Sequence, residues 1–103
     1  MGLVKYIREE IQVIRERDPA IKSNWEVFLY PSFKVILSYR VAHRLYRKKH
    51  YFLARWVSQR AARKTGIEIH PGARIGRGLF IDHGTGVIIG ETTIIGNNVT
   101  LYQ

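Results

Sequence analysis

From Ile69 onward the apolar positions recur every six residues: Ile69, Ile75 and Ile81, then, after a slip of two at Val87-Ile88, Ile89, Ile95 and Leu101. Gly follows the aliphatic residue at 76, 90 and 96. The fifth place is small or β-branched in Ala73, Thr85, Thr93 and Val99, with Leu79 the departure. A period of six fits neither an amphipathic helix nor an alternating strand. It is the hexapeptide signature of a parallel β-helix, in which each six forms a short strand and a corner and three sixes form a coil. The aliphatic residues should then stack inward as ladders from coil to coil. Gly in second place is expected at corners whose dihedrals other residues resist.

Ahead of Ile69 the pattern is helical. Leu3, Val4, Ile7, Ile11 and Ile14 fall on one stripe over residues 3–17, and Asp18-Pro19 ends it because a residue before proline is pushed out of the helical region. Ser23-Asn-Trp-Glu26 has capping-box spacing and predicts a short helix. Pro31 suits the first position of a longer one running to about Lys49, with Val35, Ile36, Tyr39, Ala42, Leu45 and Tyr46 apolar. After a connection at Lys48-Lys49-His50, a last helix from about Phe52 to Lys64 carries Trp56 and Val57 and stops at Gly66. The expected class is therefore α+β: a helical domain over 1–66, then the first coils of a parallel β-helix over 67–103. No Gly/Ser-rich linker separates the two, so they should pack together. Residues 69–103 supply fewer than two coils, which predicts the front portion of a longer protein.

Charge changes this picture little. The net charge is +9, all 17 Lys and Arg lie at or before Arg77, and no acid occurs from Val27 to Ile67. Such a face suits an anionic partner, but the bases are mixed with core aromatics and no nucleic-acid motif accompanies them, so a solvated helix face is the simpler reading. The chain has no cysteine, no run of roughly 20 apolar residues and no signal-peptide core. Disulfide frameworks, thiol chemistry and membrane spans are excluded, and a cytoplasmic location is expected. No phosphate-cradling glycine loop of the P-loop or Rossmann kind is present.

Several segments carry more specific information. Ile11-Gln-Val-Ile-Arg-Glu-Arg-Asp-Pro-Ala20, Ser38-Tyr-Arg-Val-Ala-His43, Ile69-His-Pro-Gly through Ile81-Asp-His-Gly-Thr-Gly86, and Gly90-Glu-Thr92 together resemble serine O-acetyltransferases, within the hexapeptide acyltransferases. The resemblance covers nearly the whole chain, and Arg-Asp-Pro-Ala and Asp-His-Gly-Thr-Gly make it specific. It implies a left-handed β-helix, a hand that periodicity alone does not give. It implies acetyl transfer from acetyl-CoA, as co-substrate, to the L-serine hydroxyl, with no tightly held cofactor and no metal.

By the same resemblance His83 occupies the position of the catalytic base, a role imidazole suits because it titrates near neutral pH. Glu68 stands where the family places the acid that orients it, although Asp is common there. Glu68 and His83 are fifteen residues apart, short of an eighteen-residue coil, so direct stacking is not expected. Asp82 and Asp18 match positions that hold the substrate serine, and Asp18 before Pro19 is also good helix-capping chemistry. His70 is a candidate for the same cavity or for a structural role. The family forms trimers or dimers of trimers with the coenzyme groove between subunits, and its later coils and C-terminal docking tail for cysteine synthase have no counterpart before Gln103. Two rival readings stand beside this one: a sugar or polysaccharide O-acetyltransferase, and a non-catalytic basic binding module.

Overall fold

A computed structural model describes residues 3–17, 26, 29–82 and 84–103. Among these residues three helices, α1 (Leu3–Arg17), α2 (Pro31–Arg47) and α3 (Tyr51–Thr65), precede six short strands. The strands are β1 (Glu68–Ile69), β2 (Arg74–Ile75), β3 (Phe80–Asp82), β4 (Ile88–Ile89), β5 (Ile94–Ile95) and β6 (Thr100–Tyr102). They pair only in parallel, β1 with β4, β2 with β5 and β3 with β6, as three two-stranded sheets. This is one coil stacked on another.

The aliphatic ladder runs as the six-residue period predicts. Ile69 lies opposite Ile89, Ile75 opposite Ile95 and Ile81 opposite Leu101, each partner twenty residues on. The coil is thus twenty residues long here, not eighteen. β3 is one residue longer than β1 and β2, and five residues rather than four separate it from β4. The slip in the sequence frame is an enlarged corner.

Of the second-place glycines 76, 90 and 96, none has a positive φ, and only Gly76 is held by close contact. The glycines in the left-handed region are Gly66, Gly78 and Gly86, and none of them follows a ladder residue. At Gly76 the constraint is close approach: a Cβ would stand 2.3 Å from Asn97 Oδ1 and 2.8 Å from the backbone carbon of Gly96 in the coil above.

The helices end near their expected limits. α2 stops at Arg47, and Lys49 makes the connection with a positive φ of 66°. Gly66 ends α3 in the left-handed conformation, its N–H bonded to Ala62 O at 2.8 Å. The short helix expected at Ser23–Glu26 falls largely outside the described residues. In α1, Ile14 is buried and Ile7 and Ile11 half-buried, but Val4 is exposed. α3 departs more: Trp56 is exposed, and the inward face is Ala54, Ser58, Ala61 and Thr65. Small residues at that i, i+4, i+7 spacing let α3 approach its neighbours closely.

Helices and coil share one core. Val35, Ile36 and Tyr39 of α2 and Ala61 of α3 pack with Ile67, Ile69, Ala73, Ile75, Leu79, Ile81 and Ile89. A second cluster joins Ile14 of α1, Phe33 of α2 and Phe80 of β3. Leu79, which breaks the fifth-place pattern, is fully buried beneath the helices.

A first coil has carbonyls pointing away from the second, and here helical side chains satisfy them. Ser58 donates to Ile69 O (2.5 Å), His43 Nδ1 to Pro71 O (2.8 Å), and the Tyr39 hydroxyl to Ala73 O. Arg40 reaches Ile75 O (2.7 Å) and Gly76 O (2.5 Å). On the opposite polarity, Ile81 N–H donates to Ser32 Oγ at 3.0 Å. Buried backbone groups must be paired, so α2 and α3 act as the cap of the coil.

Candidate active site

Of the candidate residues, Asp82 and Glu68 flank the enlarged corner between β3 and β4. β3 delivers Asp82, half-buried, to its near end. Because Ile81 points into the core, alternation along the strand sends Asp82 outward. The corner closes with Val87 N–H donating to Gly84 O at 2.8 Å, and Gly86 sits at a φ of 92°. Gly84 is buried: a Cβ there would stand 2.3 Å from Ile81 Cγ2 and 2.8 Å from Ile67 Cδ1. The glycine of Asp-His-Gly is therefore required by packing. His83 lies outside the described residues, between these two fixed neighbours in the sequence.

The chain arriving from α3 passes directly beneath this corner. Thr65 Oγ1 accepts the Ile67 N–H (3.1 Å), and Gly66 O accepts the Gly86 N–H (2.8 Å). Glu68 N–H then donates to Val87 O at 3.0 Å, opening the β1–β4 ladder. Glu68 thus stands opposite Ile88, at the start of the strand that leaves the corner. The twenty-residue coil, not an eighteen-residue one, sets this register. Its half-buried carboxylate accepts a hydrogen bond from Gln59 Nε2 of α3 at 2.7 Å. Nothing in the sequence pattern singles out Gln59.

His70 belongs to a different corner, at the far end of β1. Its Nδ1 accepts the Gly72 N–H at 3.0 Å, which leaves Nε2 to carry the proton of the neutral ring. Nε2 lies 3.9 Å from Glu91 Oε2, and the same oxygen accepts the Tyr46 hydroxyl at 3.2 Å. The Tyr46 ring stands edge-on to His70, with centroids 5.8 Å apart. The hydrogen bond to Glu91 is the main cause holding the Tyr46 phenol above its usual range. Glu91 lies within the Gly-Glu-Thr segment of the resemblance and His70 within its Ile69-His-Pro-Gly segment; Tyr46 lies in none of the resembling segments.

Asp18 also falls outside the described residues, but Arg17 before it does not. Arg17 Nη1 donates to Thr100 Oγ1 (2.7 Å), Gly78 O (3.3 Å) and Val99 O (3.4 Å), and Nη2 to Asn98 O (3.3 Å). These contacts pin the last described residue of α1 to the corner that leads into β3 and β6. A shallow depression along α1, lined by Arg8, Ile11, Gln12, Arg15 and Glu16, includes none of the candidate residues.

The chain is 57% identical over 94 residues to a serine acetyltransferase of Helicobacter pylori, a match that covers 90% of this chain and 55% of the relative. The chain is a homologue of the serine acetyltransferases. Among solved structures, soybean serine acetyltransferase complexed with serine superposes with a TM-score of 0.90 at 40% identity, covering 96% of this chain and 41% of that one. A serine acetyltransferase in complex with CoA matches at a TM-score of 0.91 and 34% identity, over 97% of this chain and 43% of that one. No protein-family model matches the chain. The chain spans about half the length of the curated serine acetyltransferases it matches. Among the described residues no helix is long and apolar enough to cross a membrane.

Proposed function

We propose that this chain carries part of the active site of a serine O-acetyltransferase, an enzyme that moves the acetyl group of acetyl-CoA to the hydroxyl of L-serine in cysteine biosynthesis. The observation that carries the reading is the 57% identity to a serine acetyltransferase across nine-tenths of the chain. The hydroxyl attacks the thioester carbonyl, its proton passes to His83, and the thiolate of CoA leaves and is protonated. Glu68 orients the imidazole and stabilises its cationic form, as a carboxylate does in other acid–histidine pairs. The geometry supports this pairing because the chain bearing Glu68 runs under the corner whose sequence holds His83. Asp82 and Asp18 take the ammonium group of serine, which needs anions that a sugar hydroxyl does not. We assign His70, whose Nδ1 already serves Gly72, to holding its own corner.

The coil is read as left-handed, with residues 1–66 the helical part and 67–103 the coil part. The intact enzyme is read as cytoplasmic and as a trimer or dimer of trimers, since the family's coenzyme groove lies between subunits. The test is kinetic. In the intact protein, His83→Ala should lower turnover with serine by roughly 10²-fold or more, the usual scale for losing a general base, and leave acetyl-CoA binding nearly unchanged. Wild-type turnover in that variant, or preference for a sugar over serine in an acceptor panel, would overturn the assignment.

A further inference from the structure

The geometry points to Gln59 of α3 as the positioning residue for Glu68, an inference that rests on the acid–histidine reading above. Gln59 Nε2 donates to Glu68 Oε1 at 2.7 Å, and among the described residues it is the carboxylate's hydrogen-bond partner. A glutamate has one more rotatable bond than the aspartate common at this place in the family, so an unheld side chain spreads over more orientations. One short hydrogen bond removes that freedom and leaves Oε2 to accept from a second donor.

The chemistry of the donor matters as much as its place. A Lys or Arg at 59 would hold the carboxylate equally well but would neutralise the charge that stabilises an imidazolium. An amide orients without adding charge. The backbone is fixed by the same turn of α3, because Ser58 donates to Ile69 O at 2.5 Å, one residue beyond Glu68. Ser58 and Gln59 therefore set both the path of β1 and the direction of its acid.

A double-mutant cycle on the intact protein tests this, reading kcat, the two KM values and thermal melts. Gln59→Met keeps the length and removes the donor. It should lower kcat roughly 10-fold, the lower end for a hydrogen bond to a charged group, with both KM values nearly unchanged. In a Glu68→Ala background the same change should have no further effect on kcat. Gln59→Glu, which places a like charge beside Glu68, should lower kcat and move the acid limb of the pH–rate profile upward. If Glu68→Ala lowers kcat while Gln59→Met does not, or if Gln59→Met costs the same in both backgrounds, Gln59 does not act through Glu68. If Glu68→Ala itself keeps wild-type kcat, the acid–histidine reading fails and takes this inference with it.

Discussion

Glu10 offers a test of whether burial or charge pairing governs the joint between α1 and the rest of the molecule. Its side chain faces inward from α1 and is only 5% exposed, and its Oε2 has no hydrogen-bond partner among the described residues. Burial raises its pKa from 4.5 to about 7; Arg40 opposes the rise and Glu9 adds to it. Two effects therefore compete, and desolvation is the larger: the Arg40 charge offsets only part of it. The native state holds this proton more tightly than the unfolded chain does. The group is thus harmless below about pH 4.5 and increasingly destabilising as pH rises through about 7. A rise from 4.5 to about 7, at 1.36 kcal/mol per pH unit, gives roughly 3 kcal/mol at pH 8 and above. Glu10→Gln keeps the shape and cannot ionise. It should match the parent in urea unfolding near pH 4.5 and exceed it by about 3 kcal/mol at pH 8, with the gap opening between those values. A gap that stays constant with pH, or a parent that gains on the variant as pH rises, would mean that Glu10 forms a net favourable pair with Arg40 and that this account is wrong.

Two further substitutions probe the coil and the site. Gly76→Ala should destabilise the chain by about 1–3 kcal/mol, because its Cβ meets the Gly96 backbone. Gly96→Ala, with nothing within 4 Å of its Cβ, should stay within about 0.5 kcal/mol in the 103-residue chain, and paired thermal melts check both. Asp18→Asn should leave stability unchanged if Asp18 only caps a helix, since Asn caps as well. If its charge holds the serine ammonium, the specificity constant for serine should fall by about 10- to 150-fold with acetyl-CoA affinity intact, and unchanged serine kinetics would leave it a cap.

The coil was legible because its physics is one-dimensional. Ile69, Ile75, Ile81, Ile89, Ile95 and Leu101 are ladder residues in the sequence and ladder residues in space, and even the frame slip maps onto one corner. What stayed hidden depended on contacts between distant segments. Gly76 reads as a corner glycine, but only the stacked Gly96 and Asn97 reveal why a Cβ is excluded. Trp56 is an apolar residue of the α3 sequence, yet the close approach of α3 is made by Ala54, Ser58 and Ala61, and the large ring is left outside. Ser38-Tyr-Arg-Val-Ala-His43 was recognisable as a motif without a reason. The reason is that Tyr39, Arg40 and His43 lie along one face of α2 and donate to the alternate carbonyls of Ala73, Ile75 and Pro71 in the first coil. At the site, resemblance supplied Glu68 and Asp82, while Gln59 has no signature, because a half-buried glutamine on a helix is an ordinary residue until its partner is known.

That capping role bears on where the molecule divides. Five carbonyls between Ile69 and Gly76 or flanking them, those of Ile69, Pro71, Ala73, Ile75 and Gly76, are satisfied by side chains of α2 and α3. Leaving a buried carbonyl unpaired costs about 1–3 kcal/mol, whereas the whole net stability of a small domain is about 5–15 kcal/mol. Losing the set, along with the apolar contacts of Val35, Ile36 and Tyr39, would remove most of what a coil this short could have. The helical and coil parts should then unfold in one transition, with the boundary at 66/67 separating shapes rather than folding units. The candidate site straddles that boundary. Gln59 lies on one side and Glu68 on the other, joined by Thr65, Gly66 and Ile67, whose hydrogen bonds to each other and to the corner above leave little slack. Any change that loosens the end of α3 should therefore reach the acid before it unfolds the coil.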